Sequence, residues 1–288
     1  MDANYTPKPH GPYKKQNLNL DSKGSQNHMG FEANPAQSDG HLFSYCALCN
    51  ETSKLQQSHI IPAFAIRWLK KTSGTGYLRG SENPNLRLQD AKKIPLLCSV
   101  CEGKFSKDEA DFAAKIFHPY VSEELSDEGV ATGKIKNFAY QEWLLRFVIS
   151  LHWRIITTSI YTKSVLPPKL LSLLCAFEEI WRDFLLQNRK TTGECETHLF
   201  FLQSLASARG KLPPDICDKI NFYLLRATDA TPLYNQNKLG IYSKLGPVAF
   251  YTSLNPLRLK NSGDTKLKKN GSIKTIQSLK STELNQFI

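Results

Sequence analysis

Long apolar runs are missing from this chain. The longest candidate, Phe138 to Tyr161, is interrupted by Glu142, Arg146 and Arg154. No stretch reaches the roughly 18 uncharged residues that a membrane-spanning helix needs, so no membrane partner is expected. The N-terminal Met1-Asp2-Ala3-Asn4 lacks the basic and then apolar start of a secretory signal. No internal repeat is present, which excludes a solenoid or a propeller. An even cysteine framework is also lacking: the seven cysteines are odd in number, and Cys175, Cys195 and Cys217 follow no regular spacing. That pattern argues against a disulfide scaffold and for thiols kept reduced, so a cytoplasmic protein is expected.

Acidic charge is in deficit. Across 288 residues the net charge is +11, which favours a polyanionic partner, most simply nucleic acid. The excess is uneven: residues 1–40 balance, whereas 257–288 carry seven Lys or Arg against Asp264 and Glu283.

The chain is 41% apolar, enough for a real core. Residues 1–40 are rich in Asn, Gln, Ser, Gly, Pro and Lys without apolar periodicity, and read as a flexible lead-in. From His41 onward a small mixed module is expected. It holds a strand over Leu55 to Ile61, a helix opened by Pro62, an exposed loop from Thr72 to Asp90 and a short strand over Lys93 to Leu97. A helix with Phe105, Phe112 and Ile116 on its apolar side should follow and stop at Pro119. Residues 135–230 read as mostly helical. Phe138 to Tyr161 is expected to be a central helix, Pro167-Pro168 to open a second, and Asp215 to Leu225 to form a third. Leu239 to Tyr242 and Val248 to Tyr251 flank Lys244 to Pro247 as a hairpin. Trp143, Trp153 and Trp181 are expected in the core, His118, His152 and His198 receive no role, and Asp108, Glu109 and Asp111 read as a solvated helix face.

The most informative frame lies near the start of the module. Cys46 and Cys49 form one Cys-x-x-Cys pair, Cys98 and Cys101 a second, and Ser58-His59-Ile60-Ile61-Pro62 stands between them. Thiolates two residues apart can reach one tetrahedral ion from a single turn, so two pairs make a closed Cys₄ zinc site. A closed site leaves no coordination position for chemistry, so this zinc is structural and His59 is the residue to watch. The 48 residues between the pairs are too many for a zinc ribbon, whose inner spacing is about 15–20.

These residues resemble the HNH endonucleases, the zinc-braced branch of the His-Me finger nucleases with their ββα-metal, treble-clef fold. The resemblance covers residues 46–117, little more than a quarter of the chain. Ser58-His59-Ile60-Ile61-Pro62 is similar to that family's Asp-His-Ile-x-Pro strand, and Leu96-Leu97-Cys98-Ser99-Val100-Cys101-Glu102 to its Leu-Cys-x-x-Cys-His/Asn segment. The resemblance implies His59 as general base and Glu102 at a position that holds a catalytic Mg²⁺ or Mn²⁺, with Ser58 as a weaker ligand. Ser106 and Glu109 would assist from the same helix face. The family's histidine-orienting Asn corresponds here to Lys93, with Asn83 or Asn85 as possible stand-ins from the loop. Arg67, Lys70, Lys71 and Arg79 would contact phosphates. In bacteria, proteins of this kind often resemble restriction or phage-defence effectors, which implies a regulatory protein partner.

The combined expectation is an α+β chain in four parts. They are a flexible segment 1–40, a treble-clef zinc module 41–120, a mainly helical domain 135–256 with its hairpin, and a basic, disordered tail 257–288. The expected activity is metal-dependent hydrolysis of phosphodiester bonds in DNA, with RNA as a further substrate. The alternative is a non-catalytic, zinc-braced module that binds nucleic acid or protein. In that case His59 is a strand-end histidine bonded to backbone, and Glu102 is a first-turn carboxylate facing the helix dipole.

Overall fold

A computed structural model describes residues 43–81, 83–124, 137–161, 167–202, 215, 225–235, 238–254 and 265–274. Over these the chain is mixed α and β, with three antiparallel sheets. The expected flexible segment 1–40, and the helix expected over Asp215 to Leu225 apart from its two end residues, lie outside the described residues.

The first sheet has the order β1-β2-β3, from β1 (Phe43–Tyr45), β2 (Thr52–His59) and β3 (Lys93–Cys98). The β1–β2 connection is a tight turn in which Asn50 N–H donates to the Cys46 carbonyl and Cys46 N–H to that of Glu51, both at 2.9 Å. Asn50 adopts φ 61°, a left-handed conformation that asparagine tolerates better than most side chains. β2 pairs with β3 from Leu55↔Cys98 to His59↔Lys93, with a bulge between Gln56 and Gln57. Pro62 then caps α1 (Ala63–Thr72), where its missing N–H costs nothing.

Cys98 leads directly into α2 (Ser99–Phe112). The helix does not stop at Pro119. It passes through a π-type turn over Ala113–Phe117 into α3 (His118–Glu124). His118 N–H bonds the Ala113 carbonyl, five residues back. This widened turn shifts the hydrogen-bond ladder just ahead of the proline, which can then enter a new helix near its start without a donor.

The second half departs further from the expectation. Phe138 lies in a strand, β4 (Asn137–Tyr140), and the helix begins after it as α4 (Glu142–Tyr161). α5 (Pro168–Leu185) follows as expected, with Leu170, Leu174, Phe177, Trp181 and Phe184 all buried. Among the described residues that follow, strands predominate. β5 (Glu196–Phe201), β6 (Thr228–Asn235), β7 (Lys238–Leu245) and β8 (Val248–Ser253) form a four-stranded sheet in the order β5-β8-β7-β6. The hairpin is present as β7–β8, inside a larger sheet. Every residue of β8 is buried, and so are five of the six in β5. These strands therefore lack the apolar–polar alternation that would have marked them. Pro232 sits in β6 at the sheet edge, where a missing N–H breaks no ladder. The tail also contains structure: β9 (Gly271–Lys274) pairs with β4, and Leu267 and Ile273 are buried. Residues 257–264 and 275–288 lie outside the described residues.

Two apolar clusters run across both halves of the chain. One joins the cysteine region to Phe105, Trp153 and Trp181. The other gathers Phe64, Phe112, Phe117, Phe147 and Phe250, with Phe112 stacked on Phe147 at 4.4 Å. α2 thus contributes Phe105 to one cluster and Phe112 to the other. Each such ring, fully buried, stabilises the fold by about 1.5–3 kcal/mol. The β7–β8 turn also touches α1. Gly246 has φ +59°, and a Cβ there would stand 2.8 Å from Trp68 Cζ3, so only glycine fits.

Candidate functional site

The four paired cysteines converge. Their sulfurs all lie within 4.8 Å of one another, and Cys49 Sγ is 3.9 Å from Cys98 Sγ. Zinc–sulfur bonds of about 2.3 Å place tetrahedral sulfurs about 3.8 Å apart, so this cluster can hold a metal ion such as zinc. Main-chain N–H groups already point at the sulfurs: Cys98 N–H donates to Cys46 Sγ at 3.3 Å and Cys101 N–H to Cys98 Sγ at 3.4 Å. Such bonds stabilise thiolate character and orient ligands. Cys46, Cys98 and Cys101 are buried and Cys49 is half-buried. Among the described residues this is the one group of three or more His, Cys, Asp or Glu side chains placed to share an ion.

His59 closes β2, opposite Lys93. Its ring is 21% exposed and its Nε2 lies 3.3 Å from Asp90 Oδ1. Asp90 is held in turn: Lys93 Nζ stands 2.5 Å from Oδ2, and Ala91 N–H donates to Oδ1 at 2.9 Å. The Lys93 ammonium, helped by the Ala91 amide and the histidine, lowers the Asp90 carboxyl to about 2. It is therefore an anion near neutral pH. The loop that carries Asp90 is tied to α1, where Lys70 Nζ donates to the Gln89 carbonyl at 2.8 Å. A bridge between Leu78 and Leu88 closes the loop on itself.

Ser58 is fully buried. Its hydroxyl donates to Glu102 Oε2 at 2.7 Å, so Ser58 holds this carboxylate and is not open to a ligand itself. Glu102, in the first turn of α2, is half-buried and keeps Oε1 for another partner. Glu109 is ion-paired with Arg154 of α4, whose NH1 donates to the His59 carbonyl at 2.6 Å. Glu109 therefore braces the histidine strand through an arginine. Ser106 is exposed. Asp108 does not belong to a solvated face: it is buried and receives two hydrogen bonds from Arg146, at 2.9 and 2.6 Å.

Of the four residues expected to meet phosphates, Arg67 and Lys71 are exposed on α1. Lys70 and Arg79 each turn a donor into the loop, Lys70 on the Gln89 carbonyl and Arg79 on the Pro84 carbonyl at 2.6 Å. The structure joins Ser58 to Glu102, while His59, the next residue of the same strand, sets its ring against Asp90. It adds two residues that sequence reasoning missed. Asp90, and not Asn83 or Asn85, partners the histidine ring, and its signal was the acidic residue three positions ahead of Lys93. Arg154 carried no signal, because its partners lie 45 and 95 residues away. Among the described residues no helix is long and apolar enough to cross a membrane. Compared with protein-family models, curated proteins and solved structures, the chain matches none.

Proposed function

We propose that the chain is a metal-dependent endonuclease of the HNH, treble-clef type, hydrolysing phosphodiester bonds in DNA. One observation carries this reading: a part-exposed histidine whose ring meets an ionised carboxylate, next in sequence to a serine that holds a half-buried glutamate. With Nε2–H donating to Asp90, the lone pair of His59 sits on Nδ1, where it accepts a proton from water. Asp90 then stabilises the imidazolium that forms. A neutral histidine suits this role near neutral pH. Glu102 supplies one carboxylate oxygen, and Ser58 fixes its orientation. Mg²⁺ is bound by one or two carboxylates together with water and substrate phosphate, so this donor set fits such an ion. When bound, the ion supplies positive charge at the leaving oxygen. The four cysteines, filled by zinc, keep β3 and α2 in register with the histidine strand.

A second reading is a non-catalytic nucleic-acid-binding module, favoured by the exposed Arg67 and Lys71 and by the net charge of +11. Cleavage of plasmid DNA with Mg²⁺ or Mn²⁺, run beside His59→Ala, separates the two. The nuclease reading expects metal-dependent cutting that falls by about 10²–10⁴-fold in His59→Ala, with zinc content and melting temperature kept. Equal cutting by both proteins means a contaminating nuclease or a misplaced site, and DNA binding without cutting moves the conclusion to the binding module.

A further inference from the structure

Three consecutive residues in the middle of α4 each reach a different part of the molecule. His152 lies between Ser243 and Thr252 of the four-stranded sheet, at 2.9 and 2.8 Å. Trp153 Nε1 donates to Glu178 of α5 at 3.0 Å. Arg154 reaches the end of β2 and the last turn of α2. None of the three is more than 1% exposed. The first two contacts fix how α4 is rotated about its axis, and that rotation aims the third.

We propose that Arg154 is a positioning residue for His59, a role that rests on reading His59 as the base. NH1 donates to the His59 carbonyl at 2.6 Å, NH2 pairs with Glu109, and the guanidinium carbon lies 5.3 Å from the Phe105 ring centre. The need for such a hold is visible in the strand. His59↔Lys93 is the last rung of the β2–β3 ladder, and the next bond, from Ile60 N–H to the Lys92 carbonyl, has lengthened to 3.5 Å. Beyond that point the sheet no longer fixes the backbone. The ring contact with Asp90 is 3.3 Å long, and Asp90 itself is 43% exposed on a loop, so it cannot fix the histidine alone. A charge-assisted bond on the His59 carbonyl sets the peptide plane, and with it the direction in which the ring leaves the strand. The planar fork of an arginine spans a carbonyl and a carboxylate together; the single ammonium of a lysine does not. Glu109 balances the buried charge, which would otherwise be costly.

The test uses the full chain carrying Arg154→Lys, which keeps the charge and removes the fork. Plasmid cleavage with Mn²⁺ is measured as kcat and KM, and the ¹H–¹³C signals of the His59 ring, assigned with His59→Ala, are recorded alongside. The expected result is a fall in kcat of about 10–100-fold, an unchanged KM and displaced His59 ring signals. Unmoved ring signals overturn the proposal whatever kcat does, and so does a kcat within twofold of the parent's. If the parent protein cuts nothing, the proposed function fails while the ring signals still decide the positioning role, displaced for it and unmoved against it. Should Arg154→Lys fail to fold, Glu109→Gln at the outer end of the same contacts takes its place. There the ring signals are expected to move in the same way, with a kcat reduced about 10-fold, and unmoved signals overturn the proposal.

Discussion

The β2–β3 ladder ends in two different ways. At Leu55↔Cys98 it runs into four mutually facing thiols, three of them buried. At His59↔Lys93 it opens onto a half-exposed set of polar groups, in which each side chain holds its neighbour and leaves a donor or acceptor spare. The closed end, once it holds an ion, would engage all four thiols and leave nothing with which to meet a substrate. The open end is part-exposed, so water, or a ligand in its place, can meet its polar atoms. Both ends lie on the same pair of strands, on either side of the bulge at Gln56 and Gln57, so disorder at the cysteines is expected to reach His59.

That coupling is the first thing to break. Cys98→Ser, or a strong chelator, is expected to release the metal and abolish the cooperative melt. Structural zinc contributes about 10–16 kcal/mol in isolated finger peptides, as much as the roughly 5–15 kcal/mol that holds a whole domain together. A melting temperature within a few degrees of the parent's would instead separate the two ends. Asp90→Asn addresses the open end alone. It should leave metal content and melting unchanged while kcat falls about 10–100-fold, and a larger drop in stability than in activity would make Asp90 a fold residue.

The chain also sets two histidines against each other. His59 meets a carboxylate and is part-exposed, whereas His152 lies fully buried between two hydroxyls. Burial pushes His152 down from 6.5 to about 3. The unfolded chain therefore takes up this proton first, and stability is expected to fall as pH drops from about 6.5 to about 3. His152→Asn, lower in stability throughout, should flatten that slope in melts recorded across the same window. An unaltered slope would assign the acid sensitivity elsewhere. The smallest effect expected is at the surface. Arg67→Ala with Lys71→Ala should make DNA affinity less dependent on salt, by about one unit of slope for each phosphate no longer neutralised. An unchanged slope would take α1 out of the interface.

The parts of the structure legible beforehand were those that depend on neighbours in sequence. Paired cysteines mark a metal site by spacing alone, and α5 announced itself because Leu170, Leu174, Phe177, Trp181 and Phe184 recur at helical intervals on a one-sided face. The parts that were not legible depend on burial from both sides or on distant partners. β5 and β8 are covered on both faces and show no alternation, while Pro232 disguised β6. β9 is short, with one of its four residues buried, and exists because β4 waits far earlier in the chain.

By itself, then, the sequence determined the Cys₄ frame, the histidine strand within it and the helix that follows, because each follows from local spacing and period. Only the tertiary structure decided what surrounds His59. Asp90 reaches the ring because Lys70 of α1 ties down a long loop, and Arg154 reaches the backbone because two further contacts of α4 set its rotation. Such contacts leave no periodic trace, since the residues that make them are joined by packing and not by spacing.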